Sequence, residues 1–199
     1  MKIKNSKFII TVADSKKLLE TNFKEFAFVG RSNAGKSSLI NALTNKNMLA
    51  KTSSTPGKTK HINYFLINEE FYIVDLPGYG YHKASKGAEE RWTQLIEEYL
   101  LTSKQLSCVF VLMDIRHKPS ELDKQMLIFL HYYSIPFVII ATKADKLSKA
   151  QRYNYANKLA NEVGLTGKDI IITSSEDKFG MENILQKFEQ FLGQTDRND

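Results

Sequence analysis

The sequence predicts a three-layer α/β fold, a six-stranded mixed sheet, mostly parallel with one antiparallel edge strand, flanked by helices. Three observations predict it. Short apolar, β-rich runs alternate with segments of helical period along the chain, the pattern of an α/β protein. Two of those runs are joined only by Asn68, Glu69 and Glu70, enough for a hairpin but too short for a parallel crossover. The 199 residues, 42% hydrophobic and 25% charged, suit one globular domain with a substantial core.

The strands expected in order are Phe26–Val29, Ile62–Ile67, Phe71–Asp75, Ser107–Asp114, Pro136–Ala141 and Asp169–Thr173. Buried helical stripes follow spacings of three and four. Trp92, Leu95, Ile96, Tyr99 and Leu100 form one, and Leu122, Met126, Phe129, Leu130 and Tyr133 the next. Ala156, Leu159, Ala160 and Val163 make a third stripe, ended by Gly164, and Met181, Ile184, Leu185 and Phe188 a fourth. Residues 1–22 are expected to pack on the domain as an extension, 23–193 to form the domain itself, and 194–199 to be a polar tail.

Composition narrows the classes. The single Cys108 lies in an apolar run, so it reads as a core residue, and a disulfide framework or Cys-rich zinc site is excluded. Phe8-Ile9-Ile10 is too brief for a signal peptide's apolar region, and no stretch is long enough to span a membrane. A cytoplasmic, monomeric protein is expected. The formal charge of +6 fits either solubility or attraction to a polyanion such as RNA.

Directly after the first strand comes Gly30-Arg31-Ser32-Asn33-Ala34-Gly35-Lys36-Ser37, then Ser38, a match to G-x-x-x-x-G-K-[ST] in its strand-to-helix context. Such a loop turns backbone N–H groups toward phosphates, and the helix that follows adds its positive end. Lys36 is expected on the β- and γ-phosphates and the Ser37 hydroxyl on Mg²⁺. Asp75-Leu76-Pro77-Gly78 ends the third strand, where Asp75 can hold a Mg²⁺-bound water and the Gly78 N–H can meet the γ-phosphate. Between them, Gly57, Lys58, Thr59, Lys60 and His61 belong to a polar loop suited to closing around the nucleotide. Thr59 is the expected second Mg²⁺ hydroxyl, with Thr55 as competitor.

The phosphate loop alone does not choose a base, which leaves an ATP-dependent P-loop kinase open. Thr142-Lys143-Ala144-Asp145 and Thr173-Ser174-Ser175 follow the last two strands, at the same carboxyl edge of the sheet. The Asp145 carboxylate can accept from guanine N1–H and its exocyclic amine, which adenine does not present together. Lys143 can lay its stem over the base, and the backbone after Thr173 can bond the guanine oxygen.

With these motifs the chain resembles the TRAFAC class of GTPases, in the Era-like group, and so implies the three-layer fold of P-loop GTPases. More narrowly, GRSNAGKSSLINAL, TPGKTKHINYF, VDLPGYGY and Asp114-Ile115-Arg116-His117-Lys118-Pro119 resemble the EngB family, also called YsxC or YihA, of bacterial ribosome-biogenesis GTPases. Thr142 stands where the generic motif has Asn, and Thr is usual in that family. The resemblance implies Mg²⁺-dependent GTP hydrolysis driving a switch, a large ribosomal subunit or its rRNA as partner, and a link to cell division and septation. The switches are expected around Ala50–His61 and Leu76–Glu90. Hydrolysis is expected to be slow in isolation and stimulated by a partner, because Tyr79 follows Gly78 in place of a water-orienting glutamine. The alternative is a nucleotide-gated RNA- or ribosome-binding module in which hydrolysis is incidental.

Two further readings concern the nucleotide edge. Lys46, Lys51, Lys58 and Lys60, with Lys83, Lys86, Arg91, Arg116, His117 and Lys118, read either as an RNA-facing patch or as a solvated basic rim. In several Era-like GTPases an Asn at the position of Asn33 helps to hold K⁺ against the phosphates. Asn33 therefore reads either as part of such a catalytic cation site or as a residue bonding its own turn.

Overall fold

The computed structural model describes residues 1–50, 61–80 and 86–193, the last span with side chains from 94. It contains β1 (Ser6–Val12), β2 (Lys24–Gly30), α1 (Lys36–Thr44), β3 (Ile62–Ile67), β4 (Phe71–Asp75), α2 (Lys86–Thr102) and β5 (Leu106–Asp114). These are followed by α3 (Glu121–Tyr132), β6 (Phe137–Thr142), α4 (Lys149–Asn161), β7 (Ile170–Ile172) and α5 (Met181–Leu192). The sheet has seven strands in the order β1-β3-β4-β2-β5-β6-β7. From β4 to β7 every neighbour is parallel, whereas β3 runs antiparallel to both β4 and β1.

The antiparallel edge is thus two strands deep, and β1 is one strand more than the six expected. Its signal is faint for a physical reason. Residues 7–11 of β1 are exposed and only Ser6 and Val12 are buried, so no apolar alternation marks it. Backbone pairing to β3, broken by a register shift between Phe8 and Ile10, holds it in place.

Alternation along the buried strands builds two cores. In β2, Phe26 and Phe28 face one side while Ala27 and Val29 face the other. The aromatic side packs beneath α1 and α5, with the Phe188 ring 4.8 Å from Phe26, 5.2 Å from Phe71 and 5.3 Å from Phe110. Each such buried ring contributes about 1.5–3 kcal/mol of transfer free energy. The aliphatic side lies under α2, α3 and α4. In α3 the buried stripe is narrower than periodicity predicts: Leu127 and Leu130 are buried, Phe129 is half-buried, and Tyr133 is 47% exposed. Tyr133 instead packs on Phe129, with centroids 4.8 Å apart. The Trp92 side chain lies outside the described residues. Cys108 is buried, and burial pushes its thiol up to about 12, leaving it protonated and inert. Among the described residues no helix is long and apolar enough to cross a membrane.

Candidate nucleotide site

The central strand β2 lies between β4 and β5, and the helices after β2 and β4 depart to opposite faces of the sheet. That is the switch point where open α/β sheets bind ligands. The carboxyl ends of β2, β4, β5, β6 and β7 deliver Gly30, Asp75, Asp114, Thr142 and Thr173 to this edge.

The Gly30–Ser37 loop turns through Asn33 at φ 68° and Gly35 at φ 91°, both left-handed. Glycine adopts that region freely and Asn tolerates it. Gly35 caps α1, so Lys36 and Ser37 begin the helix with its N-terminal N–H groups at the loop. The ammonium of Lys36 is buried and contacts the buried carboxylate of Asp75, the last residue of β4. Sequence reasoning assigned both residues to one phosphate and metal centre, and the fold brings them into contact. A Cβ on Gly78 would sit 3.3 Å from the Ser32 N, so the small residue lets the turn after β4 lie directly on the phosphate loop.

Tyr79 fastens that turn. Its N–H donates to the Gly30 carbonyl, its carbonyl accepts from Ser32 N–H at 3.0 Å, and its hydroxyl donates to Asp123 Oδ1 at 2.7 Å. The second Asp123 oxygen accepts from the Ser120 N–H and hydroxyl at 2.8 and 2.7 Å, capping α3. Tyr79 is therefore a structural link between the turn and α3. Burial, together with the neighbouring Asp123 charge, pushes its phenol well above the usual range.

Thr142 shows why a hydroxyl can stand where the generic motif has an amide. Its Oγ1 lies 2.7 Å from the Ala34 carbonyl and 3.1 Å from that of Met113, so the proton of one buried group is shared between the phosphate loop and β5. Lys143 Nζ donates to the Asn33 carbonyl at 2.7 Å. Asp145 Oδ1 accepts from Ser174 Oγ at 3.0 Å, and Lys146 Nζ is 2.8 Å from its Oδ2. Partial burial pushes the Asp145 carboxyl up, but the Lys146 and Ser174 bonds outweigh it and hold it below the usual range. It is an ionised, acceptor-only group at neutral pH. Ala144 N–H donates to the Thr173 carbonyl at 3.0 Å, joining the two base-side loops.

Arg152 of α4 was not legible as a site residue. It is 8% exposed, its guanidinium lies 4.8 Å from the Phe179 ring centroid, and it donates to Asp177 at 3.3 Å. It braces the turn after Ser174, whose Oγ accepts from the Glu176 and Asp177 N–H groups. A lone arginine within a helical period carries no signal of that role.

Gly57, Lys58, Thr59 and Lys60 lie outside the described residues, as do Thr55, Lys51 and Lys83. His61, just before β3, and Ser38, on α1, are exposed, and Ser175 is half-buried. Of the basic rim, Lys46 Nζ donates to the Ser6 carbonyl at 2.6 Å, Arg116 pairs with Asp114, and Lys118 pairs with Glu162 at 2.8 Å. A cavity of about 220 Å³ opens between the phosphate loop and the β5–α3 corner, lined among others by Arg31, Asn33, Arg116, His117, Lys118 and Asp123.

Comparison with known proteins gives the family. The family described as 50S ribosome-binding GTPase matches residues 25–143. A probable GTP-binding protein EngB of Clostridium kluyveri is 46% identical over 193 residues, covering 96% of this chain and 98% of that protein. The chain belongs to the EngB family of GTP-binding proteins. A Bacillus subtilis EngB is 43% identical over 183 residues, covering 92% of this chain and 94% of its own length. The crystal structure of a probable EngB superposes with a TM-score of 0.69, at 24% identity, over 84% of this chain and 98% of that one. The Era structure in complex with MgGDPNP and a segment of 16S ribosomal RNA shares the fold, with a TM-score of 0.66 at 18% identity over 90% of this chain and 60% of that one. This EngB chain is a GTP-binding protein and a GTPase, which removes the ATP-dependent kinase as a reading.

Proposed function

We propose that the chain holds Mg·GTP along this edge, hydrolyses it to GDP, and uses the difference to switch its affinity for an assembling large ribosomal subunit. The observation that carries the nucleotide assignment is that Lys36 of the phosphate loop meets Asp75 while Thr142 and Lys143 bond the loop carbonyls of Ala34 and Asn33, with the Asp145–Ser174 pair two residues beyond Lys143. Lys36 turns from Asp75 to the β- and γ-phosphate oxygens, while the N–H groups of Gly30–Ser38 surround the phosphates. Asp145 accepts from guanine N1–H and the exocyclic amine, oriented by Ser174. Gly78 N–H and Thr59 hold the γ-phosphate, and its loss releases the two loops they belong to.

The donor set suits Mg²⁺, which prefers hard oxygen ligands in small number alongside substrate phosphates. Ser37 at the start of α1 and Asp75 at the end of β4 are such donors, brought together by the Lys36–Asp75 contact; Thr59 completes the set. When bound, the ion neutralises charge on the β and γ oxygens.

Asn33 is the candidate for a second cation. Its left-handed backbone explains an asparagine by turn geometry alone, yet its side-chain amide makes no hydrogen bond among the described residues, which leaves its oxygen able to ligate K⁺. A K⁺ beside Asn33 would offset charge developing on the leaving phosphate. Single-turnover hydrolysis should then run faster in K⁺ than in Na⁺ at equal ionic strength, and Asn33→Ala should abolish the difference. Equal wild-type rates in the two salts would remove the cation.

The partner reading rests on the family description and on the basic residues at the nucleotide edge. A monomer working in the cytoplasm suits it. Removing Lys58, Lys60 and Arg116 together should weaken subunit binding and reduce the slope of log affinity against log salt by about 2–3 units, as expected for three lost phosphate contacts. An unchanged slope would place the RNA contact elsewhere.

A further inference from the structure

Asp114, at the carboxyl end of β5, has no part in the phosphate or base assignments, yet it is among the most heavily bonded side chains at this edge. The Arg116 N–H and Nε donate to its Oδ1 at 3.1 and 2.9 Å, and the second Arg116 terminal nitrogen donates to its Oδ2 at 2.7 Å. This clamp uses both oxygens and fixes the plane of the carboxylate. Lys143 Nζ then lies 3.1 Å from Oδ2. The same ammonium donates to the Asn33 carbonyl at 2.7 Å, so it is held between a β5 carboxylate and the main chain of the phosphate loop.

That double anchor sets the course of the lysine stem. Lys143 leaves a left-handed backbone at φ 61°, and its Cε lies 3.9 Å from where a Cβ on Gly35 would sit. A free lysine loses the rotamer freedom of its four-carbon stem when it is ordered. Ordering it before the nucleotide arrives removes that cost from binding. The pairing of Asp114 with Thr142 in the β5–β6 ladder sets Lys143, the next residue, beside the carboxylate. Burial pushes the Asp114 carboxyl up, but Arg116 and Lys143 hold it well below the usual range, so the anchor is ionised at neutral pH.

We propose that Asp114 is a positioning residue for guanine recognition, its Arg116-clamped carboxylate fixing Lys143 across the phosphate loop before the base binds. This rests on the reading that Lys143 meets the base.

The test is a double-mutant cycle on the dissociation rate of a fluorescent GDP analogue, with wild type, D114N, K143M and the double variant. D114N should speed release about tenfold, the effect of losing one charge-assisted bond. K143M should speed it at least as much, and adding D114N to K143M should change the rate by less than about twofold. A purely structural Asp114 would accelerate release equally in both backgrounds, which would overturn the proposal while leaving Lys143 at the base. K143M with unchanged release would sink both readings. If D114N melts below the assay temperature, Asp114→Glu, which keeps the charge but shifts it by one methylene, gives the same cycle.

Discussion

Lys36→Ala should lower affinity for both GTP and GDP by at least about 100-fold, since it removes two charge-assisted bonds to phosphate oxygens, each of about 1.5–3 kcal/mol. Titration with a fluorescent nucleotide measures it. The structure adds a second consequence that the motif alone does not show. Lys36 contacts Asp75 at a site where both side chains are almost fully buried. Removing the cation leaves a buried carboxylate without its partner, so melting temperature should also fall. A variant that still unfolds cooperatively but no longer binds nucleotide separates the two effects. Affinity within about threefold of wild type, well short of one lost charge-assisted bond, would remove Lys36 from the phosphate site, whereas a chain unfolded at room temperature would make it chiefly the counter-charge of Asp75.

Asp145→Asn should exchange base preference, lowering GTP affinity by about a thousandfold and raising affinity for xanthosine triphosphate, because a site built to hydrogen-bond one edge rejects an edge that leaves its groups unpaired. The carboxylate accepts only, and Ser174 and Lys146 keep it ionised. An amide in its place offers a donor to the xanthine carbonyl. Ser174 Oγ can still bond the amide oxygen, so the loop geometry should survive the change. Competition between the two nucleotides for one preparation reads the exchange directly. Unchanged preference for GTP would take Asp145 out of the base site.

Much of this was legible because it lies in the periodicity of buried strands and in short motifs with a strict chain context. Ile62–Ile67 and Phe71–Asp75 were bounded to the residue, since turn chemistry brackets two strongly apolar runs. β1 was not legible: an exposed edge strand held by backbone pairing has no side-chain pattern to read. The chemistry of Lys36, Asp75 and Asp145 follows from residue type at a strand end, whereas their partners follow from tertiary packing. The Tyr79–Asp123 bond spans 44 residues and Thr142–Ala34 spans 108, separations at which a single sequence carries no pairing signal. Asp123, a charged residue in the first turn of α3, is only 4% exposed because it both caps that helix and receives Tyr79. Arg152 was hidden in the same way, its charge buried under Phe179 and paired with a loop beyond β7.

These bonds join the phosphate loop to α3. Gly78 lies on the phosphate loop, and the next residue, Tyr79, is tied to α3 through Asp123. A γ-phosphate that draws the Gly78 N–H toward it therefore acts on a turn already linked to α3 and the β5–α3 corner, where Arg116 and His117 stand at the rim. The most direct measurement is sedimentation of the purified chain with isolated large ribosomal subunits in a non-hydrolysable GTP analogue, in GDP and without nucleotide. The GTP analogue should carry markedly more protein into the subunit fraction than either of the others, and equal co-sedimentation in all three conditions would contradict nucleotide-gated subunit binding.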